Sequence, residues 1–161
     1  PNLSDPMNDA GLELAANQSI VAGDLVLGSY LITPAIDLGS GGTVVPPIEN
    51  SWLTVNCTRN VAEDTTAVTV ETQIISCDTS DIAAELLAGT YTQHYRYGAG
   101  PALALNVLAN PYVCVQLPRT PVYKRYLAVL MIFSGGTGLS EGRVNISVQP
   151  HPPYRSFKNA I

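Results

Sequence analysis

The segment from Tyr123 to Val148, YKRYLAVLMIFSGGTGLSEGRVNISV, constrains the fold of this chain more than any other. Tyr126 to Phe133 is an unbroken apolar run with bulky residues on both parities. A strand that is apolar on both faces must be covered on both faces. Ser134 to Gly142 holds four glycines and reads as a turn. Val144, Ile146 and Val148 then alternate with Asn145, Ser147 and Gln149, the period of a half-buried strand. The segment therefore predicts a β-hairpin. The second face of its first strand is expected to lie under an arm or another subunit.

Composition sharpens this. Hydrophobic residues make up 46% of the 161 and charged residues 13%, against roughly 25% charged in ordinary soluble domains. The length suits one domain with a sizeable core. The charge shortfall has two readings: surface buried against neighbours, or a β-surface rich in Ser, Thr and Asn. The net charge of −5 is unevenly placed, with −11 over residues 1–90 and +6 over 91–161. Two such halves can complement each other within one fold or across neighbours. An acidic chain with scattered Lys and Arg is a poor nonspecific nucleic-acid binder.

Cys57, Cys77 and Cys114 are odd in number and widely spaced, which argues against a disulfide framework or a zinc site. Cys57 and Cys114 read as small core residues, with a single bridge left open. No apolar run approaches the ~20 residues of a membrane span, and no signal peptide is visible.

Other segments read as short strands. Residues 1–18 are polar and turn-rich, an N-terminal arm. Gly23-Asp24 and Gly28-Ser29 punctuate short β-runs, and 39–50 is a Gly/Pro loop. Trp52–Thr58 places Leu53, Val55 and Cys57 on one face. Ala67–Ile75 places Val68, Val70, Thr72 and Ile74 on one face, and the two runs are expected to pair as a meander. Asp78–Gly89 is the one convincing helix, with Asp78, Thr79 or Ser80 as N-cap, Gly89 at its end, and Ile82 and Leu86 on a shared face. Its expected place is one end of the sandwich. Ala102–Leu108 and Pro111–Leu117 are further short strands.

In TYTQHYRYGAGP, Tyr91, Tyr95 and Tyr97 share one parity, while His94 and Arg96 share the other. This is either a binding surface of tyrosines or an edge strand whose tyrosines cap the core. The tail QPHPPYRSFKNAI has prolines that impose an extended course, apolar anchors in Tyr154 and Phe157, and cations in Arg155 and Lys158. It reads as an arm lying on another surface, or as a frayed terminus. The domain organisation is thus an arm (1–18), a β-sandwich (19–149) and a second arm (150–161).

Catalytic patterns are absent from the sequence. Neither His94 nor His151 lies in a metal-ligand spacing. Gly39-Ser40-Gly41 is not a nucleophile elbow. Gly135-Gly136-Thr137-Gly138 lacks the Lys and following helix of a phosphate loop. Asn17, Asn56 and Asn145 begin N-x-S/T triplets, read as chance.

Several stretches in order resemble one family: Leu14 with Asn17-Gln18-Ser19-Ile20; Ile36-Asp37-Leu38-Gly39; Val68 to Gln73; Leu117-Pro118; Arg125-Tyr126-Leu127; and Ser134-Gly135-Gly136 to Gly142. Their common order is similar to that of the jelly-roll cement, or decoration, proteins of short-tailed double-stranded-DNA bacteriophage capsids. The resemblance spans roughly residues 14–148. It implies an all-β, jelly-roll-like antiparallel β-sandwich with one short helix and extended N- and C-terminal arms. It also implies a structural virion protein on the outer surface of the expanded capsid, made in the host cytoplasm. Such a protein bridges major capsid proteins and has no enzymatic activity and no cofactor. It self-associates, as a dimer in preference to a trimer, and binds neither nucleic acid nor membrane. The segment 78–101 and the tail depart from the family pattern.

On that reading the expected capsid contacts are Leu12, Leu14, Tyr154, Arg155, Phe157 and Lys158. The expected self-association residues are Tyr91, Tyr95, Arg96 and Tyr97. Two other classes compete. A lectin-like module would stack sugars on Trp52 and the three tyrosines. An enzyme would need His94 or His151 beside a carboxylate in a cleft.

Overall fold

The computed structural model describes residues 13–39, 51–63, 68–101, 113–117, 123–135 and 139–149. Nine strands and one helix follow in order. They are β1 (Glu13–Ser19), β2 (Tyr30–Ile32), β3 (Ile36–Asp37), β4 (Trp52–Glu63), β5 (Thr69–Cys77), α1 (Ile82–Ala88), β6 (Thr92–Pro101), β7 (Val113–Gln116), β8 (Tyr126–Ser134) and β9 (Leu139–Gln149). One sheet has the order β1-β9-β4-β7. The other has the order β2-β8-β5-β6, with β3 continuing the line of β2 along β8. All pairings are antiparallel. Taking β2 and β3 as one interrupted strand, this is the eight-stranded order of a jelly roll, two sheets facing each other across one core.

The expected hairpin is not there. β8 and β9 lie in different sheets. The alternation of apolar residues was read correctly, but it does not tell pairing from facing. Val129, Met131 and Phe133 on β8 meet Val144, Ile146 and Val148 on β9 through the core, all nearly inaccessible to solvent. The expected meander fails for the same reason, since β4 and β5 belong to opposite sheets. Their inward faces hold: Leu53, Val55, Val68, Val70, Thr72 and Ile74 are fully buried. Cys57 is only half-buried.

The second face of β8 is covered from within the chain, not by an arm or another subunit. Ala128 and Leu130 join Ile75 and Cys77 of β5 in a second apolar cluster, closed by Ile82, with Leu86 packed against it. The helix therefore lies over the outer face of the β8–β5 pair, not at one end of the sandwich. Its cap is Asp81, one residue beyond the expected three, accepting the Ala84 N–H at 3.1 Å. Gly89 ends it in the left-handed conformation (φ 68°), as expected. Glu85, buried, ties the helix to both flanks by accepting the Thr79 N–H and the Thr90 hydroxyl.

The interruption between β2 and β3 is spanned by Thr33, whose N–H donates to the Val129 carbonyl and whose hydroxyl accepts the Val129 N–H. Pro34 follows, where a ladder donor is missing. At β3, Asp37 accepts two hydrogen bonds from Arg125, both 2.9 Å long. These bonds, with one from the Gly39 N–H, hold the Asp37 pKa down at about 2. Leu38 N–H donates to the Arg125 carbonyl at 2.7 Å, and the Arg125 guanidinium lies 5.1 Å from the Tyr126 ring centroid.

At the opposite corner β1 leaves its sheet over Gly142. The Ile20 N–H donates to the Gly142 carbonyl at 3.1 Å. Gly142 has φ 153°, and a Cβ there would lie 2.7 Å from Ile20 Cγ1 and 3.3 Å from Val61 Cγ2. Replacing Gly142 with Ala is expected to destabilise the fold by about 1–3 kcal/mol through overpacking. Gly98→Ala, which meets nothing within 4 Å, is expected to stay within about 0.5 kcal/mol of the parent. Urea unfolding of the two variants measures the difference; equal midpoints would show that the Ile20 contact yields without cost.

Candidate interaction surfaces

β6 is an edge strand, hydrogen-bonded to β5 on one side among the described residues. Its register with β5 slips between Ile75↔Gln93 and Ile74↔Tyr95, leaving His94 as an extra residue. This bulge breaks the parity that the sequence suggests for the tyrosines. Tyr95 packs against the main core, and Tyr91 packs against the cluster under the helix. Tyr97 is 39% exposed. Arg96 is exposed on the outer face opposite Gln73 and pairs with Glu71 at 2.7 Å. Burial pushes the Glu71 carboxyl up, but hydrogen bonds from Gln73 and Arg96 outweigh it and hold the pKa below its ordinary value. Of the four residues expected to mediate self-association, only Arg96 and Tyr97 are presented at the edge. Tyr91 and Tyr95 serve the two apolar clusters. Trp52 lies on the other sheet, so the four aromatic side chains form no single stacking platform.

The arm assignments divide. Leu14 is 3% exposed and belongs to the core, because Glu13–Ser19 is a strand paired with β9. Its place as a capsid contact is therefore corrected, and Glu13–Ser19, expected mostly within the arm, is a strand of the sandwich. The apolar pair Leu14 and Ala15 was dense enough to be read as strand, but the surrounding Asn and Asp residues outweighed it. Leu12, Tyr154, Arg155, Phe157, Lys158 and His151 lie outside the described residues, as do Ala102–Leu108 and the 40–50 loop. Cys77 is a free thiol. Burial pushes the Cys77 thiol up to about 11.

A polar constellation that the sequence reading passed over lies on the outward face of the four-stranded sheet. Asn56 and Asn145 are cross-strand partners. Asn17 sits at a bulge in β1 with φ 49° and donates its N–H to Asn145 Oδ1. Its side-chain oxygen accepts the Thr58 hydroxyl at 2.8 Å, and its carbonyl accepts Arg143 Nη1 at 2.9 Å. All three N-x-S/T triplets thus converge on one face. Nearby, the Thr54 and Ser147 hydroxyls are 2.8 Å apart and nearly inaccessible. The available signal was parity: Asn56 shares its face with Thr54 and Thr58.

His94 is the one described histidine. Its Nε2 lies 2.6 Å from the Ser76 hydroxyl, and its ring centroid lies 4.2 Å from that of Tyr123. Ser76 is fully buried and accepts the Lys124 N–H at 2.9 Å. Among the described residues, the groups shown against the imidazole are the Ser76 hydroxyl and the Tyr123 phenol ring, and no carboxylate is among them. Among the described residues no three His, Cys, Asp or Glu side chains are grouped to hold a metal ion. No described helix is long and apolar enough to cross a membrane.

A cleft of about 410 Å³ lies between β2 and the start of α1. Its lining includes Tyr30, Ile32, Pro34, Ala35 and Ile82 together with Asp24 and Asp81. With these surfaces in view, the chain matches no protein-family model and no curated protein.

Burial holds the His94 pKa below its ordinary value. The unfolded chain thus binds this proton more readily than the folded one. The stabilisation is complete above the unfolded pKa of about 6.5 and declines as pH falls below it. Stability measured by denaturant at stepped pH is expected to fall between pH 6.5 and 5, ahead of the carboxylates. His94→Gln is expected to flatten that slope; an unchanged slope would place its origin elsewhere.

Proposed function

We propose that this chain is a structural virion protein. It would bind the outer surface of an expanded phage capsid and bridge neighbouring major capsid proteins to stabilise the shell. The observation that carries the reading is where the family-like motifs meet. Ile36-Asp37-Leu38-Gly39 lies directly against Arg125-Tyr126-Leu127. Asn17 to Ile20 lies against Gly142 and Arg143. The motifs are joints of a jelly roll rather than scattered β-phrases, which supports a shared architecture with the capsid cement proteins they resemble.

The physical fit is also favourable. A shell filled with genome is under outward load, and a clamp repeated over many seams stabilises it through modest contacts made many times. Such a clamp needs a rigid body, and the two apolar clusters on either side of β8 provide one. In this reading the protein carries out no reaction. Self-association would use the β6 edge, where Arg96 and Tyr97 are exposed.

The deciding experiment is co-sedimentation of the purified protein with expanded shells of its source phage that lack it. Saturable binding at a fixed ratio to the major capsid protein is expected. Absence of binding to intact expanded shells would overturn the proposal.

A further inference from the structure

His94 occupies the extra position of the bulge in β6, between Gln93 and Tyr95, which are opposite the consecutive β5 residues Ile75 and Ile74. It has no cross-strand partner of its own in that ladder. Its side chain turns into the fold, toward Ser76 and Tyr123, both fully buried. Three segments meet at the Ser76 hydroxyl. Ser76 belongs to β5; its oxygen accepts the Lys124 N–H at 2.9 Å from the approach to β8 and lies 2.6 Å from His94 Nε2 on β6. Since the hydroxyl already accepts from Lys124, its own hydrogen goes to Nε2. Nε2 is then the acceptor, the ring proton is on Nδ1, and the imidazole is neutral. Nδ1 is buried and makes no hydrogen bond.

This arrangement suits one charge state. A proton arriving at Nε2 meets the hydroxyl hydrogen. To receive it, the hydroxyl must turn away from the one acceptor it has, while Nδ1 stays a buried donor without a partner. No opposite charge offsets this. From β5 the imidazole meets Ser76, which does not titrate. From the approach to β8 it meets the ring of Tyr123, whose phenol is pushed up to about 12 by burial and stays neutral. The charged side chains nearby in the chain are engaged elsewhere. Arg96 pairs with Glu71 at 2.7 Å, and the Lys124 ammonium reaches Asp78 at 2.8 Å and the Thr90 carbonyl at 2.7 Å.

We infer that His94 is an acid-released latch on β6: when the imidazole takes up a proton, its ring leaves Ser76 and Tyr123 for solvent, and the start of β6 opens while the two sheets stay folded. The opening is local because little is lost with it. The imidazole is half-buried, so water is close, and it belongs to neither apolar cluster. Thr92 is half-buried and Gln93 exposed. Segments with few buried apolar contacts open at the lowest free energy. The bulge also sets the faces of the residues after it, so its release changes how Arg96 and Tyr97 are presented. The inference stands on the contacts of His94 and holds whether or not the protein binds a shell.

The test is amide hydrogen exchange of the full chain, followed by NMR at pH 7.5 and 5.5 in zero and low urea, with rates corrected for the intrinsic effect of pH. Amides of residues 92–95 and of Lys124 are expected to exchange faster than those at the centre of β4 and β9, and independently of low urea, the mark of a local opening. A ring in solvent has the ordinary pKa of about 6.5, so one pH unit below it the open form gains up to about tenfold. The exchange of residues 92–95 and Lys124 is accordingly expected to rise about threefold to tenfold at pH 5.5. His94→Gln is expected to remove that rise, and His151→Gln to leave it intact. Exchange at 92–95 and Lys124 that matches β4 and β9 in rate and urea dependence at pH 5.5 would overturn the inference, and this comparison needs no variant. So would rates there that do not change with pH, or a rise that survives His94→Gln.

Discussion

The structure depends on one strand being buried twice. β8 is apolar on both faces, and each face is worth several side chains at roughly 1.5–3 kcal/mol apiece when covered. One face looks into the sandwich, where Leu127, Val129, Met131 and Phe133 are almost wholly enclosed. The other would be a liability in water, and α1 exists to remove it. The helix has only seven residues and would not persist alone. It is held by Ile82 and Leu86 on the cluster below and by Glu85 bonded to both flanks. The Lys124 ammonium adds a further tie, reaching Asp78 at 2.8 Å and the Thr90 carbonyl at 2.7 Å. Strand and helix are mutually dependent, since neither has a stable surface without the other.

How far the sequence foretold this follows from what periodicity encodes. It encodes which residues share a face. The inward sets on β4, β5 and β9 were legible for that reason, as was the need to cover both faces of β8. It does not encode whether two consecutive strands lie side by side or across from each other. The strands of both expected hairpins lie in opposite sheets because apolar faces are satisfied equally by either arrangement. Leu14 was misplaced because short polar residues on both sides hide a strand of which only two residues point inward. The parity of the tyrosines failed at His94, where one extra residue reverses the faces, and nothing in the sequence marks a bulge that has no glycine.

The candidate surfaces were less legible than the fold. A cleft is made by elements distant in sequence, here residues 18–35 and 80–83, and no local pattern joins them. The polar face of Asn17, Asn56 and Asn145 is of the same kind, drawn from three strands. Asp37 and Arg125, from two of the family-like stretches, bond each other across 88 positions. Motifs that recur in order were thus informative about architecture, and less so about where a partner would sit.

The strand order has a consequence for synthesis. β9 lies between β1 and β4, and β8 lies between β2 and β5. The two central strands are the last two of the described strands in chain order. Until they are made, β1, β2 and β3 lack their described partners, β4 can pair only with β7, and β5 only with β6. Most of the pairing is long-range and is completed late, which is a slow way to fold and leaves apolar edges open in the interval. The described sheets therefore cannot be completed before residues 126–149 are made.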